Sequence, residues 1–334
     1  MIDLVIVGSG DVVRDRHAAI LKELQDKVRV RCIVSKRQFA VDAIQEQLGY
    51  PVLRVETIDE ALKTGVAAAL VTVSPAATME VAAYLTRLNI PHYLEKPMAQ
   101  DAVTAAKYIE EVSERNLPVV VGENFQHQER FAVARGMCES CGHSEPTNII
   151  VADTLRRGLR TNPRTDDELF GEQIVHSVSS IRTITGKEIE TVQKVTKRTL
   201  GSATEYVVQC VLQGGAAIEI KITMTNTWSE DRYSLMYADA DIRIAHSYSY
   251  DTRMYTDTVE HWHGPDNLIK VVNIPLAESG MRACWREFMQ LVERPSKHVS
   301  PSLPRALRDV QFKEAVQLCL SSNNPIPVVA YPTI

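Results

Sequence analysis

The sequence predicts an α/β protein, with an N-terminal doubly wound parallel sheet followed by an α+β domain on an open, mainly antiparallel sheet. Three observations carry this. From residue 1 to about 122, apolar strand-like runs alternate with segments of helical period, the pattern of a parallel sheet covered by helices on both faces. Beyond about residue 145 the period becomes two: Ile218, Ile220, Ile222 and Met224 are separated by Glu219, Lys221 and Thr223, as in a sheet with one buried and one wet face. A chain of 334 residues is also long for a single core. The expected domains are 1–122 and 123–334.

Parallel strands are expected at 4–7, 28–35, 67–74, 92–95 and 118–122, where the runs are continuously apolar because both faces are buried. Between them Ile20, Leu21 and Leu24, then Val81, Ala82, Tyr84, Leu85 and Leu88, then Ala105, Ala106, Ile109 and Val112 recur at helical spacing. The second domain has strand candidates at 148–154, 192–199, 205–212, 218–225 and 233–246, with Gly214-Gly215 as a hairpin turn. His261-Trp262-His263 is expected in a loop. Two helices, 280–292 and 303–320, close the chain around a loop marked by Arg294-Pro295-Ser296 and Ser300-Pro301.

Hydrophobic residues make up 45% and charged residues 24% of the chain, and the net charge is −5. That balance gives no reason to expect nucleic acid or an anionic membrane as a partner. No apolar run approaches the roughly 20 residues that span a bilayer. Met1-Ile2-Asp3 leads straight into a strand, unlike a signal peptide. The six cysteines are scattered, which fits a reducing cytoplasm. Cys138-x-x-Cys141 with His143 is half of a zinc pattern, and no second pair follows. A surface turn around Gly142 is expected there, and no metal.

Gly8-x-Gly10-x-x-Val13 lies between the first strand and the first helix, the context a dinucleotide-binding turn requires. Gly8 allows the tight turn, and Gly10 lets backbone N–H groups approach a pyrophosphate. Val13 in the third glycine position sets the helix slightly farther from the strand. The second strand ends Val34-Ser35-Lys36-Arg37, with no carboxylate until Asp42. A hydroxyl and two cations suit a ribose 2′-phosphate, so NADP(H) is expected in preference to NAD(H).

Glu95-Lys96-Pro97 follows the strand at 92–95. Pro97 restricts Lys96 and aims its amine, and the Lys–Pro bond is open to the cis form. A lysine beside a cationic ring can move the proton that accompanies hydride transfer. Glu95 can orient the lysine or bond a ribose. Farther on, Glu172 and His176 share one helix face at spacing four, and histidine titrates near neutrality. Arg156, Arg157, Arg160 and Arg164 precede them, a group suited to an anionic substrate or to a solvated loop.

Taken in order, these features resemble the Gfo/Idh/MocA family of glucose-fructose oxidoreductase and inositol dehydrogenase relatives. The resemblance spans nearly the whole chain. It rests on the glycine turn with His17 after it, Val73-Ser74-Pro75, Glu95-Lys96-Pro97, Gly122-Glu123-Asn124-Phe125, Gly171 to His176 with Gly186, Trp285-x-x-Phe288, and the stretch from Pro301 to Ala306. It implies a Rossmann domain, an open-faced α/β domain, and reversible hydride transfer between nicotinamide and a sugar, nucleotide-sugar or polyol carbonyl or alcohol. It implies Lys96 and His176 as acid/base groups with Glu172 beside them. Cofactor contacts follow at Gly8, Gly10, Asp11 and Val12, at Ser35, Lys36 and Arg37, at Ser74 and Pro75, and at Glu95, Lys96 and Asn124. A homodimer or homotetramer is implied as well. Glu172, Ser179 and Met79 stand where relatives commonly carry aspartate, aspartate and histidine. These departures leave the cofactor site intact and bear on the substrate class. On the same fold, reduction of an imine or a conjugated double bond is an alternative, and a catalytically inactive dinucleotide-binding sensor is a further one.

Overall fold

The computed structural model of the chain describes residues 1–143, 145–157, 164–226, 229–249, 254–275, 280–294 and 300–328. They form two units, one comprising Met1–Glu123 and Met281–Val310, the other Asn124–Gly280 and the chain from Gln311.

The first unit holds β1 (Ile2–Val7), α1 (Ala18–Glu23), β2 (Val28–Val34), α2 (Gln38–Leu48), β3 (Leu53–Val55), α3 (Ile58–Leu62), β4 (Ala68–Val71), α4 (Pro75–Arg87), β5 (His92–Leu94), α5 (Ala102–Glu114) and β6 (Val119–Val121). All strand pairs are parallel, in the order β3-β2-β1-β4-β5-β6. The order reverses between β1 and β4, and doubly wound sheets bind ligands at such a switch point, outside the carboxyl ends of the strands. Every residue of β4, β5 and β6 is buried, which explains the apolar runs of β4 and β6, while the buried His92 of β5 bonds Ile90 O and Tyr108 Oη. Side-chain caps start α5 and α3: Asp101 accepts from Thr104 N at 2.7 Å before α5, and Thr57 accepts from Glu60 N at 3.2 Å before α3.

The second unit contains α6 (Glu129–Ser140), β7 (Asn148–Arg156), α7 (Asp166–Thr185), β8 (Ile189–Leu200), β9 (Ala203–Leu212), β10 (Ala217–Thr225), β11 (Glu230–Met236), β12 (Ala240–Ser249), β13 (Met254–His263) and β14 (Asn267–Pro275). Its sheet runs β14-β13-β12-β11-β7-β10-β9-β8 and ends on β15 (Ile326–Pro327). Only the β7–β10 pair is parallel among the described strands. One face packs on α6 and α7 around Phe131, Ile174, Val178, Tyr206 and Tyr233. A capping box between Thr165 and Glu168 opens α7, and Gly186 closes it at φ +70°.

Three expectations change. The run 233–246 is two strands, β11 and β12, joined by a turn in which Tyr237 N donates to Ala240 O at 2.8 Å. No glycine marks that turn. His261-Trp262-His263 lies on β13, not in a loop. The pattern hid this strand because Asp257, one of its inward residues, is buried and charged. Finally, a single cut at 122/123 does not describe the units, since α8 (Met281–Glu293) and the start of α9 (Ser302–Ser322) join the first one. Met281, Cys284, Trp285, Phe288 and Met289 form the buried stripe of α8 and pack with Leu4, Ile6, Tyr93 and Val120. The Trp285 ring stacks on Tyr93 with centroids 5.0 Å apart. Pro295 and Ser296 lie outside the described residues.

Candidate active site

β1 ends in the glycine turn. Gly8 has φ +107°, and a Cβ there would lie 2.8 Å from Thr72 O, so the position admits only glycine. A Cβ at Gly10 would meet nothing within 4 Å. The space beside Gly10 is therefore open. The helix begins at Asp11, directly after Gly10, and the first N–H groups of a helix are the ones its own ladder leaves for an anion. It contains a π-helical turn, Val13–His17, whose Val13 and His17 are fully buried.

At the end of β2, Ser35 meets the turn. Ser35 Oγ lies 2.7 Å from Ser9 Oγ, and Arg37 Nη2 donates to Ser9 O at 3.2 Å. Arg37 N donates to Ser35 Oγ at 3.1 Å, and Arg54 donates to Ser35 O at 3.0 Å. Lys36 and Arg37 are exposed. The structure thus brings Gly8, Gly10, Ser35 and Arg37 into one hydrogen-bonded cradle with two cations on its rim. Ser74 and Pro75 begin α4 just beyond β4, with proline in the first helical turn.

Lys96 follows β5, and its bond to Pro97 is cis. The preceding Glu95 is held from across the sheet. Trp285 Nε1–H donates to His17 Nδ1 at 3.1 Å. Indole is only a donor, so the His17 proton sits on Nε2, which donates to Glu95 Oε1 at 2.8 Å. Tyr93 and Trp285 pack edge-on to the same imidazole. A relay from the fully buried Trp285 and His17 to the part-buried Glu95 thereby fixes the carboxylate next to Lys96. Sequence reasoning placed His17 in the pattern but could not assign its partners, which lie 78 and 268 positions away.

In the second unit, Glu172 and His176 lie one turn apart on α7. Glu172 is ion-paired with Arg164. The His176 ring stacks on Phe125 with centroids 4.0 Å apart, and only 8% of the residue is exposed. Phe125 follows Asn124 at the start of a short 3-10 turn, Asn124–His127. Of the arginine group, Arg157 is engaged by Asp166 in a two-pronged bridge at 2.7 Å on each arm, and Arg160 lies outside the described residues.

A row of polar groups near α7 escaped the sequence reading. Register places Asp153, Asp231, His246 and Asp257 side by side on β7, β11, β12 and β13. The fully buried Arg130 of α6 reaches Asp231 at 3.3 Å and Asp257 at 3.4 Å. His246 bonds Asp257 from the neighbouring strand. Asp153 accepts from Ser177 Oγ at 2.6 Å and Gln173 Nε2 at 3.4 Å. Burial, then the charge of Asp231, pushes the Asp153 carboxyl up to about 8. Its signal was available: Ile149, Val151 and Asp153 share one side of β7, so an acid stood in a core-facing position.

Turn, switch point and strand-end cations define a dinucleotide-binding domain. Residues 2–123 match the model of the GFO_IDH_MocA oxidoreductase family, NAD-binding Rossmann fold, and the N-terminal domain belongs to that family. Among curated proteins, none matches the chain by sequence. Similar solved structures include an oxidoreductase from Thermotoga maritima, with 20% identity, 98% of each chain covered and a TM-score of 0.77. The 3-ketoreductase KijD10 from Actinomadura kijaniata, in complex with NADP and TDP-benzene, has 16% identity, 95% and 97% coverage and a TM-score of 0.78. UDP-N-acetylglucosamine 3-dehydrogenase GnnA from Acidithiobacillus ferrooxidans has 14% identity, 96% and 97% coverage and a TM-score of 0.72. At these identities the likeness is one of fold. Among the described residues no helix is long and apolar enough to cross a membrane.

Proposed function

We propose that the protein is an NADP(H)-dependent oxidoreductase acting on a carbonyl or alcohol of a carbohydrate-like substrate, a sugar or nucleotide-sugar. The observation that carries this is the carboxyl edge of the parallel sheet. There the glycine cradle, the Ser35–Arg37 corner and the relay-held Glu95 beside Lys96 lie at the ends of β1, β2 and β5. The residues fit the cofactor: the open space at Gly10 suits a pyrophosphate, and Lys36 and Arg37 suit a 2′-phosphate. Two fold neighbours support the substrate class, one a UDP-N-acetylglucosamine 3-dehydrogenase and the other a 3-ketoreductase in complex with NADP and TDP-benzene.

When bound, the nicotinamide exchanges a hydride with the reacting carbon. In this reading Gly8 and Gly10 hold the phosphates, and Lys96, aimed by Pro97, orients the substrate oxygen and helps move its proton. Glu95, fixed by His17, keeps the lysine's surroundings anionic. His176 is the main proton donor or acceptor, held by its stack on Phe125, and Glu172 tunes it. Self-association through the open sheet face belongs to the same proposal; edge strand β14 exposes Leu268, Ile269 and Val271.

Melting curves with NADPH and with NADH test the cofactor assignment. A larger shift with NADPH is expected, and a clear preference for NADH would overturn it. Oxidation of NADPH with a panel of keto-sugars, their nucleotide conjugates, imines and enones then tests the bond reduced. Turnover confined to imines or enones would replace the carbonyl reading.

A further inference from the structure

We propose that Cys141, His143 and His261 form a binding site for one zinc-class divalent transition metal on the second unit. Their ligand atoms all lie within 4.8 Å of one another. Cys141 Sγ is 3.5 Å from His261 Nδ1. In a tetrahedral zinc site, bonds of about 2.3 Å to sulfur and 2.0–2.1 Å to nitrogen put those two atoms about 3.5 Å apart. The thiol and the imidazole are thus already spaced as two corners of a coordination tetrahedron.

The ligands are also held in place. Cys141 and His143 sit on the turn that ends α6, where Cys141 N donates to Met137 O at 3.1 Å and His143 N donates to Cys138 O at 2.9 Å. The His143 ring stacks on Tyr237 with centroids 4.7 Å apart, and Tyr237 Oη bonds Cys138 Sγ at 3.0 Å. Cys138 is therefore the support of the site and Cys141 its ligand, which reverses the usual reading of a Cys-x-x-Cys pair. His261 comes from β13, and the register with β14 shifts between His261 and Trp262. Such irregularities re-aim side chains at functional positions.

One thiolate and two imidazoles select zinc and its borderline neighbours over magnesium or calcium. Binding replaces the Cys141 S–H bond with an S–metal bond and releases the proton to solvent. Cys141 is exposed, so water completes the fourth position. The metal would tie the end of α6 to a strand 120 residues farther along the chain.

The whole protein, stripped with a chelator, is titrated with Zn²⁺ against a chromophoric competitor and separately loaded with Co²⁺. The expected result is one Zn²⁺ per chain and a cobalt spectrum with a thiolate charge-transfer band. Cys141→Ser and His261→Ala should each weaken Zn²⁺ binding by about a hundredfold or more, and Cys141→Ser should abolish the band. In the unmodified protein, Zn²⁺ should also slow alkylation of Cys141, a readout independent of how the variants fold. No stoichiometric binding, unchanged affinity in Cys141→Ser, or unprotected Cys141 would each overturn the site.

Discussion

The two sheets handle charge in opposite ways. In the first unit, the charged groups of the candidate site stand past the ends of strands: Arg37 after β2 and Glu95 and Lys96 after β5, while no Asp, Glu, Lys or Arg is buried within the strands. In the second unit, four ionisable side chains cross the middle of the sheet in one row beneath α6. Groups at strand ends keep access to water and ligand, so they can be changed without collapsing the fold. Groups inside the sheet are paid for by their partners, and changing one leaves another buried and unmatched.

Four measurements sharpen or break that contrast. Lys96→Met should cut turnover by about 10²–10⁴ while leaving the melting temperature and the NADPH affinity nearly unchanged; full activity in steady-state assays would remove Lys96 from the chemistry. Arg130→Leu should do the reverse in kind, costing about 3–5 kcal/mol of stability because Asp231 and Asp257 lose their buried counter-charge. Chemical denaturation of the second unit reads this, and a loss near zero would show that the row is solvated. Arg37→Ala should weaken NADPH binding about 10–100-fold with little change for NADH, measured by titration; an equal loss for both would place the guanidinium on the shared phosphates.

The smallest effect is the pH dependence from Asp153. Its folded carboxyl is raised above the unfolded value of 3.8 to about 8. The folded state therefore holds the proton more tightly, and the stabilisation is complete below the unfolded value and lost as pH rises through about 8. Each pH unit in that window costs up to about 1.4 kcal/mol. Melting curves from pH 5 to 9 should fall accordingly, and Asp153→Asn should flatten them. An equal slope in the variant would assign the dependence to other groups.

The difference also explains what could be read from the sequence. The left-handed turn at Gly8 and the cis Lys96–Pro97 bond were legible because each depends on immediate neighbours. Arg130 was not, and Asp153 showed only as an acid in a core-facing position, because their partners depend on register, which pairs Asp153 with Asp231 across 78 positions of chain. β3 is only three residues long, too short to show a period. β13 was obscured where Asp257 breaks the apolar alternation, and the β11–β12 turn where Tyr237-Ala238-Asp239 offers no glycine. His17 was seen as a pattern member, but its tautomer follows only from Trp285.

Because Trp285 and Phe288 complete the packing around Tyr93 and His17, the first-synthesised domain cannot finish folding when its own sheet leaves the ribosome. The nascent chain must carry an unfilled aromatic socket until the whole of 124–280 has been made. The anchoring of Glu95 through His17 and Trp285 is thus a late event in biosynthesis, and a truncated message would yield a strand-complete domain with that carboxylate unanchored.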